Sequence, residues 1–190
     1  THCESSAASD VYKRQHISNF RKVKRVEDVI NIFNKVHKEF PAKLLMIGDG
    51  PERLKAEQLC RKLGICDKVK FLGKLKVIEK MLSIADIFIL PSERESFGLV
   101  ALEAMASKVA VISTNTGGLP EINIDGKTGY LSEVGDVNKM ATDTLSLLID
   151  NEKLNAFKEN ALAHAYTFDL PNILPQYEAV YQKLSFKMKS

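Results

Sequence analysis

Residues 87–113 read IFILPSERESFGLVALEAMASKVAVIS, and this stretch decides the fold. Residues 87–90 form a wholly apolar run that Pro91 ends, which is typical of a strand buried on both faces. Residues 98–107 have a helical composition, and residues 109–113 form a second apolar run of strand length. A strand, a helix and a strand in succession predict a βαβ unit with parallel strands.

The same alternation continues in both directions along the chain. We predict strands over residues 16–20, 43–47, 69–72, 87–90, 109–113 and 129–131. We predict helices over residues 26–36, 52–63, 77–85, 98–107, 137–148, 152–166 and 174–186, with Asp136 as an N-cap. Because such crossovers are right-handed, the pattern predicts a doubly wound, Rossmann-like α/β domain with a parallel sheet. Ligands of such sheets bind outside the carboxyl ends of the strands.

Composition excludes several classes of protein. The chain has 190 residues and a net charge of +3, with no basic block interleaved with aromatic residues, so nucleic acid is not an expected partner. Its apolar runs are far shorter than the roughly 18 residues of a membrane span. Cys3, Cys60 and Cys66 give neither a disulfide framework nor zinc-ligand spacing. We therefore expect a cytoplasmic protein, in a reducing compartment, with no metal and no cofactor.

The first fifteen residues, THCESSAASDVYKRQ, differ from the rest of the chain. They show no apolar periodicity, and they lack the apolar stretch of a signal peptide. We interpret residues 1–15 as a non-native or disordered leader and place the domain at residues 16–186. Residues 187–190 are then a short tail.

A basic cluster follows the first predicted strand, at the ligand edge of the sheet. Asn19, Arg21, Lys24 and Arg25 lie in this loop, just before a predicted helix. Fixed cations beside the free N–H groups of a helix N-terminus suit a diphosphate. We assign that role to Arg21 and Lys24. Lys22 and Arg25 are expected to face solvent, and the other interpretation of Arg25 is a second phosphate contact.

The loop after residues 87–90 holds the other polar candidates. Ser96, Phe97 and Gly98 are predicted to open a helix, so their N–H groups should point into the cleft. Glu95 precedes this helix, and Glu103 lies about two turns inside it. Two carboxylates at this separation can each accept hydrogen bonds from the hydroxyls of a sugar. The alternative is structural, with Glu95 interacting with the helix dipole and Glu103 on an exposed face.

Other motifs carry less functional information. Gly117 and Gly118 favour a structural role, with Glu121 as a candidate cap of the following turn. The turn at residues 48–51 lacks the third glycine of a dinucleotide-binding fingerprint, because Arg53 occupies its place. His37 and His164 lie in predicted helices as surface or packing residues, and no general base stands out.

Taken together, the segments PSERESFGLVALEAMA, TNTGGLPEI and DGKTGYL resemble the C-terminal domain of the retaining glycosyltransferases of family 4, which have the GT-B fold. The resemblance covers nearly all of residues 16–186. It implies that a UDP-sugar is the donor substrate and that no metal is needed. In residue terms it implies that Glu95 contacts the transferred sugar and that Glu103 binds the ribose hydroxyls. The resemblance also implies that Arg21 and Lys24 hold the diphosphate.

Further roles follow from the same resemblance, which places the nucleotide base against the loop after the third strand, at Gly73, Lys74 and Leu75. Many family members carry a Gly-Arg pair where this chain has Ser18 and Asn19, so Arg21 is expected to substitute for the missing arginine. The segment HISNFRKVKRVEDVI is most similar to the subgroup that transfers GlcNAc from UDP-GlcNAc to L-malate in bacillithiol biosynthesis.

A GT-B enzyme has two Rossmann-like domains, and the resemblance covers only the donor-binding one. We therefore expect a fragment that lacks the N-terminal acceptor domain and is inactive alone. Its last helix should turn apolar side chains toward that domain, namely Tyr177, Val180, Tyr181 and Leu184. Two alternatives stay open, a related family-4 enzyme of polysaccharide or glycolipid synthesis and a non-catalytic Rossmann-like nucleotide-binding module.

Overall fold

The computed structural model describes the backbone of residues 12–187 and the side chains of residues 13–179 and 181. Six parallel strands form one sheet within this range, in the order β3-β2-β1-β4-β5-β6. The strands are β1 (Tyr12–Ser18), β2 (Ala42–Gly48), β3 (Val69–Gly73), β4 (Ile87–Leu90), β5 (Ala110–Thr114) and β6 (Gly129–Ser132). The doubly wound α/β fold predicted from the sequence is confirmed.

Eight α-helices connect or follow these strands in the described residues. They are α1 (Val26–Glu39), α2 (Arg53–Lys62), α3 (Glu79–Leu82), α4 (Leu99–Ala106), α5 (Leu119–Ile122), α6 (Val137–Leu148), α7 (Asn151–Ala165) and α8 (Leu170–Lys187). Short 3-10 turns cover Lys22–Lys24 and Tyr166–Phe168. The predicted cap Asp136 is confirmed, because its side chain accepts a hydrogen bond from the N–H of Lys139 at 2.9 Å.

Apolar side chains form two cores, one on each face of the sheet. The larger core joins β2, β4 and β5 to α1, α2 and α6, and Phe20, Ile30 and Phe33 are fully buried in it. The second core packs α4 against β4 and β5, and it includes the end of α7. Burial on both faces explains why β4 and β5 read as continuous apolar runs.

The strand order reverses between β1 and β4, which makes this the topological switch point of the sheet. β1 pairs with β2 along its whole length but with β4 only at Arg14–Ile87 and Gln15–Phe88. The loops after β1 and β4 therefore leave from neighbouring strand ends that have begun to diverge. A crevice at this position is where doubly wound folds bind their ligands.

The first strand differs from the prediction. It starts at Tyr12, four residues before the predicted start at His16, because residues 12–15 complete the ladder with β2. Arg14 and Gln15 are fully buried, so residues 12–15 of the predicted leader belong to the sheet. Phe20, predicted as the end of the strand, lies in a turn with a left-handed φ of 41°. Residues 1–11 and 188–190 lie outside the described residues.

Three helices also differ from the prediction. α3 is shorter than the predicted helix at residues 77–85, and α5 is absent from the predicted helices. α8 begins at Leu170 and continues through Pro175, whereas we predicted a start at Leu174. Pro175 removes one backbone donor near the start of the helix but does not end it. No helix among residues 12–187 is long and apolar enough to cross a membrane.

Candidate functional site

The loop after β1 forms a tight, basic turn at the switch point. Arg21 precedes the 3-10 turn, whose first bond runs from the N–H of Lys24 to the carbonyl of Arg21 at 2.8 Å. Arg25 then adopts a left-handed φ of 48° and leads into α1. The side chain of Arg21 is exposed, and it has no partner among the described residues. Arg21 is therefore a free cation at the predicted ligand edge.

Lys24 and Glu95 join the loops after β1 and β4. Lys24 Nζ forms an ion pair with Oε1 of Glu95, and the two side chains are 18% and 10% exposed. Ser92 Oγ donates to the same carboxylate oxygen at 3.0 Å. Within the described residues Oε2 of Glu95 accepts no hydrogen bond, so it remains able to bind a ligand hydroxyl. The structure thus brings Lys24 and Glu95, predicted from distant segments, into direct contact.

Backbone contacts hold these loops in place. The N–H of Glu93 donates to the carbonyl of Val23 at 2.7 Å, and the N–H of Gly118 donates to the carbonyl of Glu95 at 3.3 Å. A Cβ on Gly117 would lie 1.7 Å from that same carbonyl oxygen, which requires glycine at this position. The structural role predicted for Gly117 and Gly118 is confirmed. Glu121, a candidate cap, lies in the first turn of α5 and provides no side-chain cap to it.

Residues 96–99 present free backbone donors beside Glu95. Helix α4 starts at Leu99 with Gly98 as its N-cap at φ 88°, so Ser96 and Phe97 precede the helix instead of lying at its start. The N–H groups of residues 96–99 donate to no acceptor in the described part of the chain. The ring of Phe97 packs edge-on against Phe168 at 5.9 Å, and this partly buried side chain packs against the second core. A helix start with free N–H groups favours an anion.

Glu103 lies on α4 near α3. It is exposed and makes no side-chain hydrogen bond within the described residues. Burial of part of the carboxyl group raises the pKa of Glu103, and the nearby charge of Glu79 raises it further. This carboxylate is therefore held without a neutralising partner. It is well suited to accept hydrogen bonds from hydroxyls that a ligand would bring.

The remaining predicted contacts lie further along the same edge. Gly73 ends β3, the edge strand, and Lys74 and Leu75 after it are exposed. β3 is two strands away from β1, the strand that precedes Lys24. Asn19 is exposed beside Arg21, and its backbone packs against the next loop. Gly73, Lys74 and Leu75 thus lie toward the edge of the sheet, whereas Lys24 and Glu95 lie in the loops after its two central strands.

Glycines of the loop after β2 allow this close packing. A Cβ on Gly48 would lie 1.8 Å from the carbonyl oxygen of Ser18, and one on Gly50 would lie 2.1 Å from that of Asn19. These glycines accommodate the neighbouring loop. Arg53, in the place of a third glycine, pairs with Glu57 at 2.8 Å.

Lys22 and Arg25 face a different part of the surface. They line an open, mixed-charge cavity of about 200 Å³ with Val26, Glu27, Asp28, Glu52, Lys55 and Glu93. Arg25 Nε donates to Asp28 Oδ2 at 2.6 Å, and a Cβ on Gly135 would lie 3.2 Å from its guanidinium. Arg25 is thus engaged within the fold, whereas Lys22 is exposed as expected.

His16 and Ser92 are polar residues of this region that sequence reasoning missed. His16 is fully buried in β1, and its Nδ1 lies 2.9 Å from the carbonyl oxygen of Ile89. Burial is the main cause that lowers the pKa of His16 to about 4. A histidine in a buried strand, and a serine three residues before Glu95, were the signals available in the sequence. His37 and His164 pack against Phe33 and Phe168, as predicted for packing residues.

No group of three or more potential metal ligands gathers within the described residues. The carboxyl edge of the sheet instead combines groups that attract an anion with carboxylates that can accept hydrogen bonds from hydroxyl groups. Arg21, Lys24 and the N–H groups of residues 96–99 supply positive potential, and Glu95 and Glu103 supply carboxylate oxygens. That combination suits a ligand that carries both phosphate and sugar hydroxyls.

Comparison with known proteins gives a consistent result. The sequence profile of the family described as "Glycosyl transferases group 1" matches residues 8–164. N-acetyl-alpha-D-glucosaminyl L-malate synthase of Bacillus anthracis is 48% identical over 167 residues, which are 87% of this chain and 44% of that protein. D-inositol 3-phosphate glycosyltransferase of Corynebacterium urealyticum is 39% identical over 141 residues, 72% of this chain and 33% of that protein.

A solved structure extends the comparison to three dimensions. The C-terminal domain of the glycosyl transferase group 1 family protein LpcC from Francisella tularensis aligns with a TM-score of 0.77 at 29% identity. The alignment covers 83% of this chain and 85% of that domain. The chain therefore spans less than half the length of the two curated relatives but nearly the whole of one C-terminal domain.

Proposed function

This chain belongs to the group 1 glycosyl transferases, and we propose that it forms the donor-binding half of a retaining, family-4 enzyme with a UDP-sugar as donor. The observation that carries the proposal is the switch-point arrangement, in which Lys24 pairs with Glu95 while Arg21 stays free. Each of these residues stands in a loop that follows a central strand, where ligands of this fold bind.

In the proposed complex the donor diphosphate lies over the basic turn and the start of α4. Arg21, Lys24 and the N–H groups at Ser96, Phe97 and Gly98 would stabilise the charge that develops on the leaving diphosphate. Lys24 contacts Glu95, which directly precedes these N–H groups, and this contact supports the proposal. Asn19 would lie beside the phosphates. Lys24 would shift part of its interaction from Glu95 to the phosphate when the donor binds.

The carboxylates take the hydroxyl groups of the donor in this proposal. Glu95 would hold the transferred sugar through its free Oε2, while Lys24 and Ser92 fix Oε1. Glu103, which lacks a partner in the described residues, would bind the ribose hydroxyls. Gly73, Lys74 and Leu75 would contact the base from the edge strand. The roles are unequal, because only Glu95 would contact the sugar that moves.

The proposed reaction is a transfer with retention at the anomeric carbon. The bond between that carbon and the diphosphate oxygen breaks, and a bond to the acceptor oxygen forms on the same face. The departing phosphate takes the proton of the acceptor hydroxyl, which would explain why no general base stands out. Stabilisation of the diphosphate is then the main contribution of this half of the enzyme.

The proposed substrates are UDP-GlcNAc and L-malate, as in bacillithiol biosynthesis. The 48% identity to the malate synthase of Bacillus anthracis supports this choice. That relative continues well beyond the matched region, and the acceptor half would come from there, so this chain alone should bind the donor without transferring it. Leu170, Leu174, Tyr177 and Tyr181 form an exposed stripe on α8 at helical spacing, which fits a contact with that half.

A cytoplasmic location is part of the proposal. Cys60 and Cys66 are both free thiols, which suits a reducing compartment.

A second candidate is a related enzyme with a different acceptor, supported by the 39% identity to a D-inositol 3-phosphate glycosyltransferase. Assay of the chain joined to an acceptor half, with L-malate and with D-inositol 3-phosphate, separates the two candidates.

The alternative from another class of protein is a non-catalytic nucleotide-binding module. Calorimetric titration of this chain with UDP-GlcNAc, UDP and NADH tests that rival. Binding of NADH without UDP would contradict the glycosyltransferase proposal.

A further inference from the structure

A directional chain of hydrogen bonds lies beneath the basic turn. The Ile89 carbonyl can only accept, so the proton of the neutral His16 ring is on Nδ1, at 2.9 Å from that oxygen. Nε2 is then an acceptor, and the hydroxyl of Ser18 donates to it at 2.8 Å. The Ser18 oxygen accepts in turn from the N–H of Phe20 at 3.2 Å. Every polar atom of the imidazole is satisfied.

This chain of bonds spans the switch point. It begins on Ile89 in β4 and ends at Phe20, just beyond β1. The pairing of the two strands has already stopped there, at Gln15 and Phe88. The ring of His16 is stacked with that of Phe20 at 6.0 Å and with that of Phe88 at 6.5 Å between ring centroids. His16 therefore connects the two strand ends from which the loops with Arg21 and Glu95 leave.

The residue at the end of the chain is conformationally demanding. Phe20 adopts φ 41°, which costs a non-glycine residue about 1–2 kcal/mol. Its carbonyl accepts from the N–H of Glu52 at 3.0 Å, and its side chain is fully buried. The next residue is Arg21, followed by the 3-10 turn that carries Lys24. Whatever holds Phe20 in this conformation also sets the direction of the basic turn.

We propose that His16 is a positioning residue for the donor diphosphate, acting through Ser18 to hold the Phe20 turn so that Arg21 and Lys24 face the phosphates opposite Glu95. The inference rests on the proposed function, because it concerns the same site. It assigns a role to His16 and Ser18 of β1, neither of which would contact the donor. Burial of His16 keeps the imidazole neutral near pH 7, as this hydrogen-bond pattern requires.

The test compares three variants of this chain with the parent. Ser18→Ala removes the hydroxyl, and Ser18→Thr retains it. His16→Asn keeps a donor toward Ile89 but lacks the ring atom Nε2 to which Ser18 donates. Ser146→Ala is the matched control, because that hydroxyl is likewise half-buried and donates a hydrogen bond within the fold, to the carbonyl of Asp143 on α6. Isothermal calorimetry gives the affinity for UDP, and amide hydrogen exchange followed by NMR reports on Phe20 and Arg21.

We expect Ser18→Ala and His16→Asn each to weaken UDP binding about tenfold and to speed amide exchange at Phe20, while amides in the centre of α1 keep their rates. Ser18→Thr and Ser146→Ala should stay within about twofold of the parent. If His16 acts through Ser18, the two losses are not additive. The double variant His16→Asn/Ser18→Ala should then have the same affinity for UDP as the single variant with the lower affinity.

Unchanged UDP affinity and unchanged exchange at Phe20 in Ser18→Ala would overturn the inference, as would fully additive losses in the double variant. Failure of the parent chain to bind UDP would instead overturn the proposed function. Exchange at Phe20 would still decide in that case whether His16 and Ser18 hold the turn, so the two failures are distinguishable.

Discussion

Lys24 and Glu95 form an ion pair across the switch point of the sheet, and this contact joins the loop after β1 to the loop after β4. Both side chains are largely buried, and Ser92 donates to the same carboxylate oxygen at 3.0 Å. The pair partly neutralises Lys24, which leaves Arg21 as an unpaired cation beside it within the described residues. The electrostatic attraction for a diphosphate should therefore depend strongly on Arg21.

Replacement of Arg21 by alanine should weaken UDP binding by about 10- to 100-fold, because a hydrogen bond to a charged group contributes about 1.5–3 kcal/mol. Lys22→Ala is the matched control, since Lys22 is an equally exposed cation that lines the mixed-charge cavity. It should stay within about twofold of the parent. Calorimetry at one fixed ionic strength measures both. Equal losses in the two variants would show a diffuse charge effect instead of a phosphate contact.

Replacement of Glu95 by glutamine should affect sugar and nucleotide differently. Without the ion pair Lys24 is released toward the phosphates, so UDP affinity should stay equal or rise slightly. The gain in affinity from UDP to UDP-GlcNAc should fall about tenfold, because the sugar loses a charged acceptor. Glu93→Gln, an exposed neighbour, is the control. A parallel loss for both ligands would assign Glu95 to loop structure and not to sugar binding.

Replacement of Glu103 by glutamine should raise the stability of the fold but weaken UDP binding. Burial and the charge of Glu79 raise the pKa of Glu103, so the native state holds this proton more tightly than the unfolded chain. The charged carboxylate therefore disfavours folding near pH 7, and this penalty disappears at pH values where both states are protonated. Glu103→Gln should raise Tm at pH 7 by about 1–2 °C, with no difference near pH 3.

The same Glu103→Gln variant should bind UDP about tenfold more weakly if the carboxylate holds the ribose hydroxyls. Glu121→Gln, on the exposed face of α5, should change neither property. Differential scanning calorimetry and UDP titration measure the two effects. A higher Tm with unchanged UDP affinity would remove Glu103 from the binding site.

His16 should make folding sensitive to acid. Its pKa is lowered from 6.5 to about 4 in the native state, mainly by burial, so the unfolded state binds more protons between these values. Stability is therefore highest above pH 6.5 and falls as the pH drops toward 4, by about 3 kcal/mol over the whole interval. Urea unfolding of the parent and of His16→Asn at several pH values isolates this contribution. Identical pH slopes would contradict the assigned burial.

Alanine substitutions at two glycines with left-handed φ values distinguish the cost of backbone strain from the cost of a steric clash. Gly126 at φ 71° has no atom within 4 Å of an added Cβ, so Gly126→Ala should cost about 1–2 kcal/mol. Gly117 at φ 57° would place its Cβ 1.7 Å from the Glu95 carbonyl oxygen, so Gly117→Ala should cost about 3 kcal/mol or more. Only Gly117→Ala should also weaken UDP binding. Equal costs in urea unfolding would disprove the close approach.

The sheet and most helices could be predicted because the spacing of apolar residues indicates which side chains are buried. Prolines, glycines and capping residues indicate where elements begin and end. Ile87–Leu90, ended by Pro91, is one example, and Asp136 at the start of α6 is another. The start of β1 could not be predicted in this way. Residues 12–15 read YKRQ, a polar run, and only the ladder with β2 makes them a strand. Likewise α8 continues through Pro175, against the local preference.

The sequence predicts which loops form the candidate site but not which of their side chains are in contact. Strand order places the loops after β1 and β4 side by side, and chain sequence alone gives no distance between Lys24 and Glu95. Side-chain burial explains the remaining differences. Phe97 turns its ring into the core, and Arg25 pairs with Asp28, so neither residue offers a free side chain to a ligand. His16 was overlooked because its partners are backbone and hydroxyl groups that carry no sequence signature.

The central claim is that the loops after β1 and β4 bind the diphosphate of a nucleotide donor at the switch point. Titration of the ¹⁵N-labelled chain with UDP, followed by amide chemical shifts, tests this claim most directly. Saturable shifts should be largest at residues 21–25 and 96–99, and they should be absent with NADH. Shifts confined to other parts of the chain, or no saturable shift with UDP, would contradict the claim.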